Sequence, residues 1–132
     1  MHPANSPWRW ISKRILLLLH DESLAEHGGL PGLRDEGLLD SALARAQNLS
    51  AYGDPDLAAV AAAYAFGLVR NHPFADGNKR AAFLAVGLCL SLNGGRLTAS
   101  PAQATAAVMS LAAGDLGEGE FAAWLRLHIV SR

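Results

Sequence analysis

A histidine, an aspartate, an asparagine, a lysine and an arginine fall within the stretch "HPFADGNKR", His72 to Arg80. The flanks are apolar: "LAAVAAAYAFGLV" (57–69) before it and "AAFLAVGLCL" (81–90) after it carry no charge. Pro73 must end the upstream helix, because the residue before a proline disfavours the helical region. A second helix opens at Gly77 or Asn78, so the polar cluster is a loop that feeds into an apolar helix. Free backbone N–H groups and the positive end of the helix dipole make such an N-terminus receptive to anions. Gly77, without a side chain, lets a phosphate approach the backbone. Lys79 and Arg80 stand in the first turn, where cations by themselves disfavour a helix; a bound polyanion would offset them. Asp76 suits magnesium, which combines a carboxylate or two with substrate phosphates. His72 can accept a proton near neutral pH. A phosphate cradle, a metal ligand and a base together point to transfer of a group from a nucleoside triphosphate to a hydroxyl.

Six helices are expected to position this loop. The first, about 7–26, has apolar residues at helical spacing and is stopped by "HGGLPGL" (27–33). The second runs from a cap at Asp35 to about residue 49, with Leu38, Leu39, Ala42, Leu43 and Ala46 on one face. The third is expected to be capped by Asp54, with Pro55 in its first turn, and to end near Asn71. The fourth reaches about Leu92, where "NGG" (93–95) stops it. Ser100, Pro101 and Gln103 read as a capping box for a fifth helix to about Ala113, and a sixth spans about 118–129. No alternating strand emerges, and "GRLTA" (95–99) reads as an extended connector. The expected class is all-α: a compact bundle of about six helices. Its buried centre is the third and fourth helices, apolar all round.

Composition narrows the function. At 132 residues the chain reads as a single domain, 1–132, with "MHPANSP" (1–7) as a loose N-terminal tail. With 51% hydrophobic residues and a formal charge of −1, it fits neither a disordered chain nor a nucleic-acid binder. The single cysteine, Cys89, lies in an apolar run and favours a reducing, cytoplasmic setting. The run "ILLLL" (15–19) falls far short of the roughly 20 residues that cross a bilayer. Asp21 and Glu22 directly after it argue against a signal peptide, so no membrane association is expected.

Residues 72–80 resemble, at all nine positions, the Fic/Doc superfamily signature His-Pro-Phe-x-Asp/Glu-Gly-Asn-Gly/Lys-Arg. The chain from about 11 to 128 is similar to the death-on-curing (Doc) toxins of type II toxin–antitoxin systems. "GGLPGLRDEGLL" (28–39) and "AYAFGLVRNHPF" (63–74) share in that likeness. The resemblance implies that His72 is the catalytic base and Asp76 the Mg2+ ligand. It also implies that Asn78, Lys79, Arg80 and the backbone at Gly77 hold the phosphates of ATP. Phe74 would be a hydrophobic peg that fixes the loop, and Arg70 would reach a phosphate.

Position 79 separates two chemistries within the superfamily. Members that transfer AMP usually have glycine there; a lysine resembles the Doc branch, which moves the γ-phosphate of ATP to elongation factor Tu. Gly77 points the other way, since Doc toxins can have alanine at that place. The reading is therefore a Doc-like Ser/Thr kinase, with protein adenylylation as the alternative and a catalytically silent binder of antitoxin or nucleotide as a third. Self-inhibited relatives carry Ser/Thr-x-x-x-Glu-Gly/Asn. Here the residues four before Glu36-Gly37 and Glu118-Gly119 are Gly32 and Gly114, and neither fits. The resemblance thus implies restraint in trans by a cognate antitoxin, bound as a helix in an apolar groove.

Other polar groups carry less. A histidine at a helix end usually just bonds a carbonyl, and only the company of Asp76, Asn78, Lys79 and Arg80 turns His72 into a site. "HDESLAEH" (20–27) lacks the His-Glu-x-x-His spacing of a helical zinc site and reads as the polar end of an amphipathic helix. The loop 50–56 reads as plain connection or as a flap for a target peptide. Trp8, Trp10 and Trp124 read as core or interface aromatics.

Overall fold

A computed structural model describes residues 7–132; residues 1–6 of the expected tail lie outside it. Ser12 caps α1 (Lys13–His27), its hydroxyl accepting the Ile15 N–H at 3.3 Å. The helix therefore starts later than its apolar spacing predicts. The segment before it is held by other bonds: Arg9 N–H donates to the Asn93 side chain at 2.9 Å, and Ile11 N–H to the Tyr64 hydroxyl at 3.0 Å. Trp8 and Trp10 pack half-buried against the core from this lead-in.

Asp35 caps α2 (Glu36–Tyr52) as expected, accepting the Leu38 N–H at 3.0 Å. The cap of α3 (Leu57–Asn71) is Asp56, not Asp54. Its carboxylate accepts the Ala59 N–H at 2.9 Å and also takes Arg126 in a two-pronged pair at 2.6 and 3.0 Å. That arginine holds the Asp56 carboxyl below its ordinary pKa and ties the start of α3 to α6 (Glu118–His128). Pro55 consequently sits before the helix rather than in its first turn. Between them, α4 (Asn78–Leu92) and α5 (Pro101–Ala113) follow the expected limits, and the Ser100–Gln103 capping box forms in both directions.

Two short strands correct the expectation of a strand-free chain. β1 (Gly95–Leu97) pairs antiparallel with β2 (Ile129–Ser131), Gly95 opposite Ser131 and Leu97 opposite Ile129. Each has three residues, too few for alternation to show, and the partners are far apart in sequence. The rest of the described chain is helical or loop, and the all-α class stands.

The centre of the bundle is α3, packed against α2, α4 and α6. Its alanines 61–63 and 65 are fully buried, as is Leu68, and small side chains let neighbouring backbones come close. The approach is tightest at Gly67, where a Cβ would lie 3.0 Å from the Ala42 carbonyl oxygen of α2. α4 is less enclosed than expected. It buries Ala81, Ala82, Ala85, Val86, Cys89 and Leu90 but keeps Lys79, Arg80, Gly87 and Ser91 in solvent. Burial pushes the Cys89 thiol up to about 12, which makes it a packing group rather than a nucleophile. Among the described residues no helix is long and apolar enough to cross a membrane.

Candidate active site

The turn between α3 and α4 is assembled by residues that grip its backbone. His72 caps α3 with φ 48° and ψ 56°, its N–H donating to the Leu68 carbonyl at 3.2 Å. It is the one non-glycine with positive φ among the described residues. Left-handed backbone costs an L-residue roughly 1–2 kcal/mol, so neighbouring bonds must hold it. Arg34 supplies two, its Nε donating to the His72 carbonyl at 2.7 Å and its Nη2 to the Asn71 carbonyl at 2.8 Å. The next carbonyl, that of Pro73, accepts the backbone N–H groups of Arg34 and Asp35 at 2.7 and 3.0 Å. With Ala75 N–H donating to Gly32 at 3.0 Å, this forms a single antiparallel bridge, Leu33 opposite Phe74.

Phe74 is buried, as a peg should be, and its ring stacks on His20 of α1 with centroids 3.8 Å apart. Its own peptide groups belong to Asn78. The Asn78 side-chain oxygen accepts the Phe74 N–H at 3.0 Å, and its amide donates to the Phe74 carbonyl at 3.1 Å. The same amide nitrogen lies 3.4 Å from His72 Nδ1, at the long edge of a hydrogen bond. Asn78 is thus the buried clasp of the turn, with its side chain turned to the protein.

Asp76 is exposed, and each carboxylate oxygen takes one N–H: Leu30 at 3.1 Å and Gly77 at 2.9 Å. Both oxygens keep lone pairs for a hard cation. Among the described residues no three His, Cys, Asp or Glu side chains cluster as a metal site. A cation at Asp76 would therefore draw its other oxygens from water or ligand, as magnesium does. Gly77 needs its missing side chain: φ is 76°, and a Cβ would stand 2.9 Å from His20 Cε1. α4 begins without a side-chain cap, and its first backbone bond runs from Ala81 N–H to Gly77 at 2.9 Å. The N–H groups of Asn78, Lys79 and Arg80 precede that bond and remain for an anion. The Lys79 and Arg80 side chains are exposed at the same place.

The structure brings His72, Asp76, Gly77, Asn78, Lys79 and Arg80 into one turn and helix start. Arg70 lies in the last turn of α3, two residues before His72. Its guanidinium lies 5.6 Å from the ring centre of Phe66, one turn back on α3, and the same ring receives Arg45 of α2 at 4.7 Å. A cleft of about 570 Å³ lined by Ser41, Arg45, Asn48, Leu49 and Glu118 also contains none of the motif residues.

Two residues outside the motif support it, and the reading of the sequence passed over both. His20 is 1% exposed, not part of a polar helix end, and neither ring nitrogen has a hydrogen-bond partner among the described residues. Burial depresses its pKa, against the opposing pull of the Asp76 backbone carbonyl and the Asp21 and Asp76 charges. Its spacing from Leu16, four residues away and fully buried, was the available signal. Arg34, in a glycine- and proline-rich loop, gave none.

A small helical bundle thus presents an uncapped helix N-terminus, suited to an anion, beside an exposed histidine and carboxylate. Comparison with known proteins places it among its relatives. Residues 10–90 match the model of the Fic/DOC family. The chain is 37% identical over 119 residues to "Protein kinase doc" of Escherichia phage P1, covering 89% of this chain and 94% of that protein. It is 46% identical over 76 residues to "Toxin Doc" of Mycolicibacterium smegmatis, covering 54% of this chain and 57% of that protein. The chain belongs to the Fic/DOC family.

Proposed function

We propose that this protein is the toxin of a toxin–antitoxin pair and a protein kinase, moving the γ-phosphate of ATP to a threonine or serine hydroxyl. Elongation factor Tu is the proposed target, and a cognate antitoxin is the proposed restraint. The two relatives, a protein kinase and a toxin by name, support the class. The observation that carries the chemistry is the setting of His72: exposed, with Nδ1 3.4 Å from the Asn78 amide, at the mouth of an uncapped helix flanked by two cations.

In this reading the acceptor hydroxyl gives its proton to the His72 imidazole as its oxygen bonds to the γ-phosphorus. The bond from that phosphorus to the β-phosphate oxygen breaks, and ADP leaves. The backbone from Gly77 to Arg80 and the side chains of Lys79 and Arg80 hold the phosphates, and Asp76 holds magnesium. The bound ion would neutralise phosphate charge. Such transfer depends mainly on positioning and charge, which suits a rigid turn with few reactive groups.

The test is intact-mass spectrometry of elongation factor Tu after incubation with this protein, ATP and magnesium, with His72→Ala as the control. A gain of one phosphate is expected, falling by a factor on the order of 10²–10⁴ in the variant. A gain of AMP would move the chain to the adenylyltransferase chemistry that Gly77 resembles. No gain on this target would overturn the target assignment. A folded His72→Ala protein with full transfer would overturn the base.

A further inference from the structure

Left-handed backbone at His72 needs an explanation, because the residue precedes a proline. Pro73 disfavours the right-handed helical region at residue 72 and pushes the backbone towards the extended one. An extended His72 would carry the imidazole away from Asn78 and change how the chain enters the bridge at Phe74. Something must hold the alternative shut. The helix-cap bond from His72 N–H to Leu68 serves one side of the residue. On the other side the carbonyls of Asn71 and His72 converge on one guanidinium, that of Arg34.

We propose that Arg34 is a positioning residue for His72. Its planar fork binds two successive carbonyls at the C-terminal end of α3, where the helix dipole favours a cation. The fork locks the His72 peptide, and the locked peptide aims the imidazole at Asn78. The backbone half of the junction is independent of this side chain. The N–H groups of residues 34 and 35 still reach the Pro73 carbonyl with methionine or lysine at 34, and Asn71 still donates to the Leu38 carbonyl at 3.0 Å. Substitution at 34 therefore removes the lock without removing the bridge.

The catalytic half of this inference rests on the phosphotransfer reading; the conformational half does not. Arg34→Met keeps an apolar stem and no donor, and Arg34→Lys keeps the charge but only a point donor. Each is compared with the unaltered chain by two readouts. The first is the intraresidue amide–Hα NOE of His72 in labelled protein, strong when φ is positive and weak when it is negative. The second is kcat and KM for ATP in transfer to elongation factor Tu. In Arg34→Met the NOE is expected to weaken, with kcat down at least about tenfold and KM for ATP within about twofold, because the phosphate groups are untouched. Arg34→Lys is expected to fall between. A strong NOE in Arg34→Met overturns the proposal, and so does a weakened NOE with kcat unchanged. If the unaltered chain transfers nothing to this target, the target assignment fails, and the NOE comparison still decides whether Arg34 holds His72.

Discussion

Asn78 holds Phe74 by both ends of its peptide, accepting its N–H at 3.0 Å and donating to its carbonyl at 3.1 Å. The Leu33–Phe74 bridge uses the neighbouring peptide groups, so among the described residues Asn78 alone serves this buried pair.

Asn78→Ala should therefore strand a buried donor and acceptor together. The expected loss of stability is about 1–3 kcal/mol, measured by urea unfolding. Asn78→Asp keeps the acceptor but removes the donor, turning a charged oxygen on the Phe74 carbonyl. It should lose at least as much near neutral pH. A variant of either kind with unchanged stability would mean that the clasp adds nothing to the fold.

The turn was readable because its signals are local. Pro73 ends one helix, Gly77 opens the next, and the polar residues lie between them. Ser100 and Gln103 were readable for the same reason. The misread parts depend on distant partners. Asp54 and Asp56 both stand at cap distance from α3, and the choice falls to Asp56, which also pairs with Arg126 on α6. His20 looks like one more polar group in "HDESLAEH" until Phe74 and Gly77 close over it. Arg34 finds its carbonyls only once the loop after α1 lies against the end of α3. The strands at 95–97 and 129–131 likewise exist only as a pair.

His20 should make the fold sensitive to mild acid. The groups facing it are the Phe74 ring, the backbone at Gly77 and the Asp76 carbonyl, with Asp21 and Asp76 as the nearby charges. Burial outweighs these and lowers the pKa from the ordinary 6.5. Above that value the imidazole is neutral in both folded and unfolded chains and adds no pH dependence. Below it the unfolded chain binds a proton that the folded one resists, so stability falls with pH until the depressed folded pKa is passed. Urea midpoints measured from about pH 7 to about pH 5 should decline, and His20→Leu should flatten that decline. Equal slopes in the two proteins would remove His20 as the cause.

Two glycines on adjacent helices should respond in opposite senses to the same substitution. At Gly67 of α3 a Cβ would stand 3.0 Å from the Ala42 carbonyl oxygen and 3.1 Å from its Cα. These are backbone atoms of α2 and cannot turn aside as a side chain would. Gly67→Ala must push α2 and α3 apart, at a cost of about 1–3 kcal/mol after any gain in helix propensity. At Gly87 of α4 a Cβ would meet nothing within 4 Å, and the position is exposed. Gly87→Ala should therefore show the propensity term alone, a gain of about 0.5–1 kcal/mol. Urea unfolding of the two variants beside the parent measures both signs at once. If Gly67→Ala proves as stable as Gly87→Ala, α2 and α3 are not in backbone contact at this point, and the close packing assigned to the centre of the bundle is wrong.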